Sequence, residues 1–553
     1  MDNKKYSIGM DFGTLSARAI LVDIKNGTEE AISVVGYQDA VIDDVLPESG
    51  QKLPKGYALQ NPHNYIEAME SLLRDILRKS RADPSQIIGI GLDTTASTVL
   101  PVDRNYVPLC FHEKYKKNPH SWIKLWKHHG AQKQADRLNA AADRMGLEFI
   151  NRCGGRVSAE WMYPKIMETL EEAPEIYEAA YRFMELGDWL VYLLTGQEKR
   201  NSIMAFIHAQ WDGGAGFPPN QFFKSLDPRL DGLIEAKIGS RVQSAFEKAG
   251  ELTRVMAKKT GLLAGTAVAM ANSDGPVAIP GLGIVEEGTA ALILGTSSVL
   301  MYLSRKDRMV KGAMGMAKEG WIPGFCGHIL GQSAVGDIFE WFMNTMVPYR
   351  YYKEAETEDI SIFDVMNRKV EHLPPAQTGL LALDWLNGNR SVLQNADLSG
   401  VLIGLNLSTT PEEIYRALIE ATAFGMKKII ASVEEAGITL REIYACGGLA
   451  RKSPTIMQIF SDVLGLRIRI AASSQTIALG SAMMGAVAAG KTKGGYDGIT
   501  EAAIHMSRLK EEYYEPDPGN HARYRRMYKE YERMHDYFGI EQKEIMKKLR
   551  NIQ

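Results

Sequence analysis

The sequence is poor in cysteine, nearly neutral and without a long hydrophobic run. Only 4 of its 553 residues are cysteines, too few for the disulfide framework of a small secreted protein. The longest apolar stretch, Thr289 to Leu300, is too short and too polar to span a bilayer. Lys and Arg together number 64 and Asp and Glu 67, so the formal net charge is −3. A near-neutral chain gives no reason to expect nucleic acid or a membrane as a partner.

Two further absences narrow the class of protein. The cysteines lie far apart and form no C-x-x-C pair, which argues against a structural zinc site. The apolar stretch after the first residues is broken by Asp11 and Gly13. A secretory signal keeps that stretch free of acids, so we expect a cytoplasmic protein. What remains, 45% hydrophobic and 24% charged residues, is typical of a globular enzyme with several domains.

Hydrophobic periodicity divides the chain into two strand-rich blocks. In the first block it predicts strands at 7–11, 16–23, 29–37 and 87–92, and a helix at 64–79. The stretch 122–259 is mostly helical in pattern. The second block predicts strands at 290–294, 299–303, 442–446 and 467–471, and helices at 411–435, 454–464 and 478–489. Strands in both blocks end in turns of Asp, Gly, Thr or Ser, which indicates a duplicated topology with a mixed sheet in each half.

The first strand ends in a turn that suits a phosphate group. Asp11, Gly13, Thr14 and Ser16 follow one another closely, and Arg18 lies on the same strand face as Ser16. A tight glycine turn gathers backbone N–H groups and hydroxyls around one point, which favours a phosphate oxygen. The Asp11 carboxylate at the strand end is a suitable ligand for Mg²⁺. An ordinary hairpin turn is the competing interpretation.

Two turns in the second block have similar chemistry. Gly295, Thr296 and Ser297 follow a buried strand and offer N–H groups and hydroxyls. Gly447 and Gly448 lie between a strand and a helix, where the absence of Cβ atoms lets the backbone approach a ligand closely. A hairpin and a loop that simply needs positive φ are the respective alternatives.

Asp274 is the candidate catalytic residue. It follows a strand in the sequence Asn272-Ser273-Asp274-Gly275, where an acid either caps the next helix or acts as a general base on a substrate hydroxyl. Local sequence alone favours the cap. Taken with the phosphate turns in both halves, however, a lone carboxylate indicates phosphoryl transfer from a nucleotide bound between two lobes.

Longer stretches resemble a known family. The segment Ile8-Gly-Met-Asp-Phe-Gly-Thr-Leu-Ser-Ala-Arg-Ala resembles the first phosphate motif of the FGGY carbohydrate kinases, and the segment from Cys446 to Gly465 resembles their C-terminal signature. The similarity extends over about 6–489. The branch of the family that phosphorylates ketopentoses is indicated by five stretches, namely 91–98, 125–129, 185–189, 331–337 and 383–390.

The resemblance implies an α/β fold with two actin-like (ribonuclease H-like) domains flanking a catalytic cleft. The expected domains are 1–265 with the sugar and phosphate–Mg²⁺ sites, 266–505 with the nucleotide site and the catalytic Asp, and 506–553 as a helical extension. The implied reaction transfers a phosphoryl group from ATP, with Mg²⁺, to the terminal hydroxyl of a small sugar. The expected acceptor is L-ribulose, and the alternatives are xylulose, D-ribulose or ribitol. A homodimer is possible by the same resemblance.

The resemblance also assigns roles to individual residues. Asp274 takes the proton from the sugar hydroxyl, and Asp11 organises Mg²⁺. The expected cofactor-binding residues are Asp11, Gly13, Thr14, Ser16, Arg18, Gly295, Thr296, Ser297, Gly447, Gly448 and Arg451. The expected substrate-binding residues are Ala96, Ser97, Trp126, His208, Asp274 and Ile329.

Two of these positions depart from the pattern of the ketopentose branch. His208 stands before Ala-Gln-Trp211 where a Lys is expected, and Ile329 stands where a Glu is expected. An unpaired polar group costs about 1–3 kcal/mol, so the substitutions bear on which hydroxyls are recognised. Two non-kinase alternatives remain at this point: an actin-like ATPase without a small-molecule acceptor, and a catalytically silent sugar sensor.

Overall fold

A computed structural model describes residues 4–153 and 155–551 of the chain. These residues form two compact units, and both are discontinuous in sequence. The first unit comprises the chain up to Val285 together with Ala317–Gly327 and Gln475–Arg508. The second unit comprises Glu286–Met316, His328–Ser474 and the chain from Leu509 onward. Within the described residues, no helix combines the length and the apolar character that a membrane crossing requires.

The first 285 residues contain fifteen strands and nine α-helices among the described positions. The strands are β1 (Tyr6–Phe12), β2 (Ser16–Asp23), β3 (Thr28–Gly36), β4 (Val45–Leu46), β5 (Gln51–Lys52), β6 (Leu59–Gln60), β7 (Ile87–Thr94), β8 (Val99–Val102), β9 (Ile123–Lys124), β10 (Arg182–Glu185), β11 (Arg200–Asn201), β12 (Val242–Gln243), β13 (Lys248–Glu251), β14 (Ala267–Ala269) and β15 (Asn272–Ser273). The helices are α1 (Pro62–Ser80), α2 (Gln132–Met145), α3 (Met162–Glu172), α4 (Pro174–Ala179), α5 (Leu186–Thr195), α6 (Ser202–Ala209), α7 (Asn220–Leu226), α8 (Arg254–Thr260) and α9 (Asp274–Gly281).

The remainder of the described chain adds nine strands and ten α-helices. The strands are β16 (Thr289–Leu294), β17 (Ser298–Ser304), β18 (Gly315–Lys318), β19 (Cys326–Gln332), β20 (Leu381–Leu383), β21 (Val401–Ile403), β22 (Glu442–Cys446), β23 (Arg467–Ala471) and β24 (Leu509–Tyr514). The helices are α10 (Gly336–Met346), α11 (Tyr349–Glu358), α12 (Ile362–Glu371), α13 (Pro411–Glu435), α14 (Gly448–Lys452), α15 (Pro454–Leu464), α16 (Thr476–Ala489), α17 (Ile499–Met506), α18 (Pro518–Asp536) and α19 (Glu544–Asn551).

The first unit is built on a seven-stranded mixed sheet. Six strands run in the order β13-β14-β7-β1-β2-β3, and β15 also pairs with β7. The first three strands form an antiparallel meander, while β7 is parallel to β1, β14 and β15. Parallel strands end at the same edge of a sheet, so the carboxyl ends of β1, β7 and β15 lie together. That edge carries the acidic residues predicted from the sequence.

Glycines let helix α16 pack directly on this sheet. A Cβ atom added at Gly9 would overlap the backbone carbonyl of Ala478, and one added at Gly91 would overlap that of Ser481. Neither position has a positive φ, so close approach rather than turn geometry requires glycine here. The helix therefore covers β1 and β7 at backbone contact, and its small residues (Ala478 to Ala489) explain the sequence composition of this segment.

The second unit repeats the plan of the first. Its sheet has the order β18-β19-β17-β16-β22-β23-β24, with β16 parallel to β22 and antiparallel to β17. Helix α13 begins at a capping box in which Thr410 and Glu413 exchange side-chain and backbone hydrogen bonds. The helix lies in the same hydrophobic core as α15 and α18. Tyr524 and Tyr531 of α18 face that core and are almost fully buried.

Candidate active site

Three carboxyl groups meet at one edge of the first unit's sheet. Asp11 on β1 is paired in register with Asp93 on β7, and Asp93 is in turn paired with Asn272 on β15. Asp274 follows directly at the start of α9. Asp11 and Asp93 are buried, with 4% and 0% of their surface exposed. The fold thus concentrates negative charge at one point, an arrangement that needs a proton or a cation to be stable.

The pKa values of Asp11 and Asp93 are raised to different extents. Burial raises the pKa of Asp11, but the Arg18 guanidinium, with its Nη1 3.5 Å from Asp11 Oδ2, opposes that rise. Burial and the neighbouring Asp11 charge raise the pKa of Asp93 well above its ordinary value. The Ser481 hydroxyl of α16 donates to Asp93 Oδ2 at 2.6 Å and partly opposes that rise. Of the two carboxyls, Asp93 therefore holds a proton more readily and Asp11 ionises more readily.

Asp274 is a partly buried carboxyl with a moderately raised pKa. Burial first, and then the charge of Asp11, raise its pKa to about 6. The Gly275 N–H at 2.7 Å and the Ser273 hydroxyl at 3.2 Å both donate to Asp274 Oδ1 and oppose the rise. The N-cap residue of α9 is Ser273, so the local interpretation of Asp274 as the cap is wrong. A carboxylate of this pKa suits a general base that works near neutral pH.

The turn after β1 is a hairpin, as the alternative interpretation held, and it also presents ligand-binding groups. The Gly13 N–H donates to the Ser16 carbonyl at 3.0 Å, which closes the turn. Arg18 Nη2 donates to the Ser16 hydroxyl at 3.2 Å. The indole Nε1 of Trp126 donates to the Thr14 hydroxyl at 3.1 Å. The structure therefore joins the predicted phosphate turn to the predicted sugar-binding tryptophan by a direct hydrogen bond.

The predicted sugar loop at Ala96 and Ser97 lies next to His208. The Ser97 N–H approaches His208 Nδ1 at 3.2 Å, and Glu185 Oε1 approaches the same nitrogen at 3.0 Å. Trp161 stacks on the His208 ring with 5.3 Å between ring centroids. One nitrogen cannot both donate to Glu185 and accept from Ser97. The Nδ1–H tautomer, which donates to the carboxylate, is the stronger arrangement because that bond is charge-assisted.

In the second unit, the turn 295–297 is held by hydrogen bonds from the start of helix α10. The Gly295 N–H donates to the Ser297 carbonyl at 3.0 Å. The Val335 N–H donates to the Thr296 carbonyl at 2.8 Å, and the Gly336 N–H donates to the Gly295 carbonyl at 3.1 Å. These bonds satisfy N–H groups at the start of α10 and hold the turn rigidly.

Gly447 and Gly448 form the Gly-Gly loop, and the structure gives a different explanation for glycine at each position. Gly447 has a φ of +99°, and a Cβ atom there would also overlap the Leu294 carbonyl. Among the described residues other than its own neighbours in the chain, none has an atom within 4 Å of the place where a Cβ of Gly448 would be. The protein itself does not require glycine at position 448, so the open space suits a ligand that approaches the backbone. Arg451 is exposed on the same short helix, α14.

A buried polar chain that the sequence did not reveal supports the turn 295–297. The Ser298 hydroxyl donates to Gln332 Oε1 at 2.8 Å, and Gln332 Nε2 donates to Asp384 Oδ2 at 2.7 Å. The Tyr531 hydroxyl of α18 donates to Asp384 Oδ1 at 2.9 Å. Burial raises the pKa of Asp384 to about 6. Helix α18 is therefore linked to Ser298, the residue that follows the turn.

Ile329 lies on β19 in the second unit. Its backbone carbonyl accepts a hydrogen bond from the Met314 N–H at 2.8 Å, and its side chain lies 3.6 Å from the position of a Cβ at Gly315. An isoleucine side chain has no hydrogen-bonding group, so this position cannot replace the acceptor that a glutamate would supply.

The described residues contain no cluster of three or more His, Cys, Asp or Glu side chains placed to bind a metal. Mg²⁺ commonly uses one or two protein carboxylates and otherwise waters and phosphate oxygens. Asp11, a buried carboxyl beside Arg18, fits that mode. A letter match to the P-loop, G-x-x-x-x-G-K-T, occurs at Gly485 to Thr492. It does not form a phosphate loop, because α16 ends at Ala489 and the pattern lies at the helix C-terminus rather than before an N-terminus.

Four functional candidates were missed by the sequence reasoning: Asp93, Trp161, Lys165 and Glu185. Asp93 carried a usable signal, since it ends a buried strand as Asp11 does. The other three lie on the helical middle of the chain, and only the folded structure brings them to Ser97 and His208.

Comparison with known proteins identifies the family. Residues 6–281 match the N-terminal domain and residues 290–489 the C-terminal domain of the FGGY family of carbohydrate kinases. The chain belongs to this family and is accordingly an ATP-dependent sugar kinase. The family and the fold predicted from the sequence, α/β with two actin-like (ribonuclease H-like) domains, are both confirmed.

Individual relatives cover nearly the whole chain. The sequence is 49% identical over 542 residues to the ribulokinase of Bacillus licheniformis, with 98% of each chain covered. It is 47% identical over 548 residues to the ribulokinase of Geobacillus thermodenitrificans, with 99% of this chain and 97% of that one covered. The solved xylulose kinase of Rhodospirillum rubrum is similar in fold, with a TM-score of 0.79 at 20% identity, and covers 97% of this chain and 99% of that one.

Proposed function

We propose that this kinase transfers the γ-phosphoryl group of ATP to the terminal hydroxyl of L-ribulose and forms L-ribulose 5-phosphate. Two ribulokinases that share nearly half of its residues over almost its full length support the choice of sugar. The observation that carries the chemistry is Asp274, a partly buried carboxyl with a pKa of about 6 beside Asp11. ATP is supplied in the cytoplasm, which we keep as the proposed compartment.

In the proposed reaction, Asp274 accepts the proton of the terminal hydroxyl. The O–H bond breaks as the sugar oxygen bonds to the γ-phosphorus, and the bond from that phosphorus to the β–γ bridging oxygen breaks to release ADP. Asp11 would hold Mg²⁺ together with water, and that ion would offset the charge of the phosphates. Arg18 favours the anionic form of Asp11 for this role, because its guanidinium opposes the effect of burial on the Asp11 pKa.

The nucleotide is proposed to bind the two turns of the second unit. Support comes from the rigid turn 295–297 and from the open space at Gly448. Thr14 and Ser16 are proposed to face the phosphates, and Trp126 to cover an apolar C–H face of the sugar. A homodimer is proposed on family resemblance alone, and sedimentation analysis of the purified protein tests it.

A kinase for another ketose or polyol is the second candidate. His208 and Ile329 stand where the ketopentose branch is expected to carry Lys and Glu. A histidine in place of a lysine at position 208 changes the hydrogen-bond donor, and an isoleucine in place of a glutamate at position 329 removes an acceptor. Both changes would alter which sugar hydroxyls form hydrogen bonds. Xylulose, D-ribulose and ribitol are therefore compared with L-ribulose in the same assay.

The test replaces the proposed base. Asp274→Asn should lower kcat about 10²- to 10⁴-fold in a coupled assay with Mg²⁺-ATP and the sugar panel. Asp188→Asn is the matched control, since Asp188 is another carboxyl of the first unit whose pKa is raised first of all by burial. That variant should keep kcat within a few-fold. Wild-type turnover by Asp274→Asn would remove Asp274 from the base role, and ATP turnover that no sugar stimulates would favour an actin-like ATPase.

A further inference from the structure

Lys165 on α3 is a buried lysine whose partners are backbone carbonyls. Only 1% of its surface is exposed. Its Nζ donates to the Ser97 carbonyl at 2.6 Å and to the Leu125 carbonyl at 2.9 Å. Burial lowers the pKa of Lys165 to about 7. Even the neutral amine keeps two N–H bonds, which equals the number of carbonyls it contacts.

The first carbonyl belongs to a residue in an uncommon backbone conformation. Ser97 has a φ of +40°, a left-handed value that residues other than glycine rarely adopt. Such a conformation persists where the surroundings fix it. The hydrogen bond that fixes Ser97 is the one its carbonyl accepts from Lys165 Nζ at 2.6 Å.

The second carbonyl belongs to the residue before Trp126. Leu125 is therefore anchored to α3, and the adjoining Trp126 donates through Nε1 to the Thr14 hydroxyl. Lys124, the preceding residue, also bonds to α3, where its Nζ donates to the Lys165 carbonyl at 3.0 Å. One lysine thus ties two loops that are 28 residues apart in sequence, at Ser97 and Leu125.

Three polar atoms around the Ser97 loop have no hydrogen-bond partner within the described part of the chain. They are Ser97 Oγ, His208 Nε2 and Glu185 Oε2. Their residues are 0%, 0% and 3% exposed. Buried polar atoms without partners are costly, and a hydroxyl, a ring nitrogen and a carboxylate oxygen together match a ligand with neighbouring hydroxyl groups.

We propose that Lys165 is a positioning residue that orients the Ser97 loop and Trp126 for a polyhydroxylated substrate. The unpartnered atoms of Ser97, His208 and Glu185 then bind hydroxyls of that substrate. The inference rests on the proposed sugar kinase function and extends it to Lys165, which lies outside the family stretches recognised in the sequence. Lys165 itself acts through the two loops it holds.

The experiment compares Lys165→Met with Lys237→Met. Lys237 is the matched control, because its Nζ also donates to backbone carbonyls of the first unit, those of Tyr177 and Ala180, at 2.7 and 2.6 Å. Lys165→Met should raise the KM for L-ribulose about 10- to 100-fold and leave the KM for ATP within about 2-fold. Lys237→Met should change neither KM. Lys165→Gln, which keeps two N–H donors, should recover part of the sugar affinity.

Each other outcome overturns a stated part of the proposal. A folded Lys165→Met enzyme with a normal sugar KM, or with equal increases in both KM values, would remove the positioning role. If the wild type turns over another ketose but not L-ribulose, the proposed substrate falls, and the same KM comparison on that ketose still tests Lys165. If the wild type turns over no ketose or polyol, both proposals fail.

Discussion

Replacing Ser273 with alanine should move the acid limb of the pH–activity profile to higher pH. The Ser273 hydroxyl donates to Asp274 Oδ1 at 3.2 Å and so favours the ionised carboxylate. Its loss removes one hydrogen bond to the charged form, worth about 0.5–1.5 kcal/mol. At about 1.36 kcal/mol per pKa unit, the pKa of Asp274 should rise by roughly 0.4–1.1 units from about 6.

The sign follows from the role of Asp274 as a base. Only the ionised carboxylate accepts a proton, so kcat/KM should be constant above the pKa and fall about tenfold per pH unit below it. The assay measures kcat/KM for the sugar from pH 5 to pH 8 at constant ionic strength and saturating Mg²⁺-ATP. The wild type should show an acid limb near pH 6, and Ser273→Ala should show the same limb displaced upward.

Ser432→Ala is the matched control for this shift. Ser432 is also a buried serine, but its hydroxyl donates to the Ile429 carbonyl in α13 and contacts no carboxylate. The acid limb of the pH profile of kcat/KM should be the same in the Ser432→Ala enzyme as in the wild type. An acid limb that stays in place in folded Ser273→Ala enzyme, or moves to lower pH, would refute the assignment of that limb to Asp274.

Two further substitutions test the supports of the site. Gly91→Ala places a Cβ atom against the Ser481 carbonyl. It should cost about 1–3 kcal/mol and lower Tm by several degrees in thermal unfolding, whereas Gly36→Ala, with open space at its Cβ, should not. Tyr531→Phe leaves Asp384 without one donor. The variant should lose about 1–3 kcal/mol of unfolding free energy in denaturant. Its KM for ATP should rise more than its KM for the sugar. If both KM values equal those of the wild type, the link between Tyr531 and the turn 295–297 is contradicted.

Elements with strong local signals were predicted closely. The bounds of α13, α15, β2, β22 and β23 agree with the expectation from periodicity. Local chemistry explains this agreement: Thr410 and Glu413 form the capping box that starts α13, and Ser453 accepts from the Ile456 N–H at the start of α15. Such signals lie within a few residues of the boundary they set, so one sequence contains them in full.

The helical middle of the chain was predicted less completely. It includes β9, β11 and β12, which are two residues long, too short for a period of alternation to show. The contacts of Lys165 were also invisible, because Ser97 lies 68 residues away in sequence. A helix pattern predicts a buried face but not which loop carbonyl a buried amine will meet. The choice of Asp274 as base rather than cap likewise depends on Asp11, a residue from another strand.

The order of the chain has a consequence for biosynthesis. Helix α16, which covers the glycine-lined face of β1 and β7, is translated only after the stretch from Glu286 to Ser474. At about 5–20 residues per second, the ribosome needs on the order of 10–40 s to pass from Val285 to Gln475. During that interval the nascent first unit exposes apolar sheet surface that α16 will later bury. A truncated polypeptide ending near Val285 should therefore depend on chaperones or aggregate, although it carries Asp11, Asp93 and Asp274.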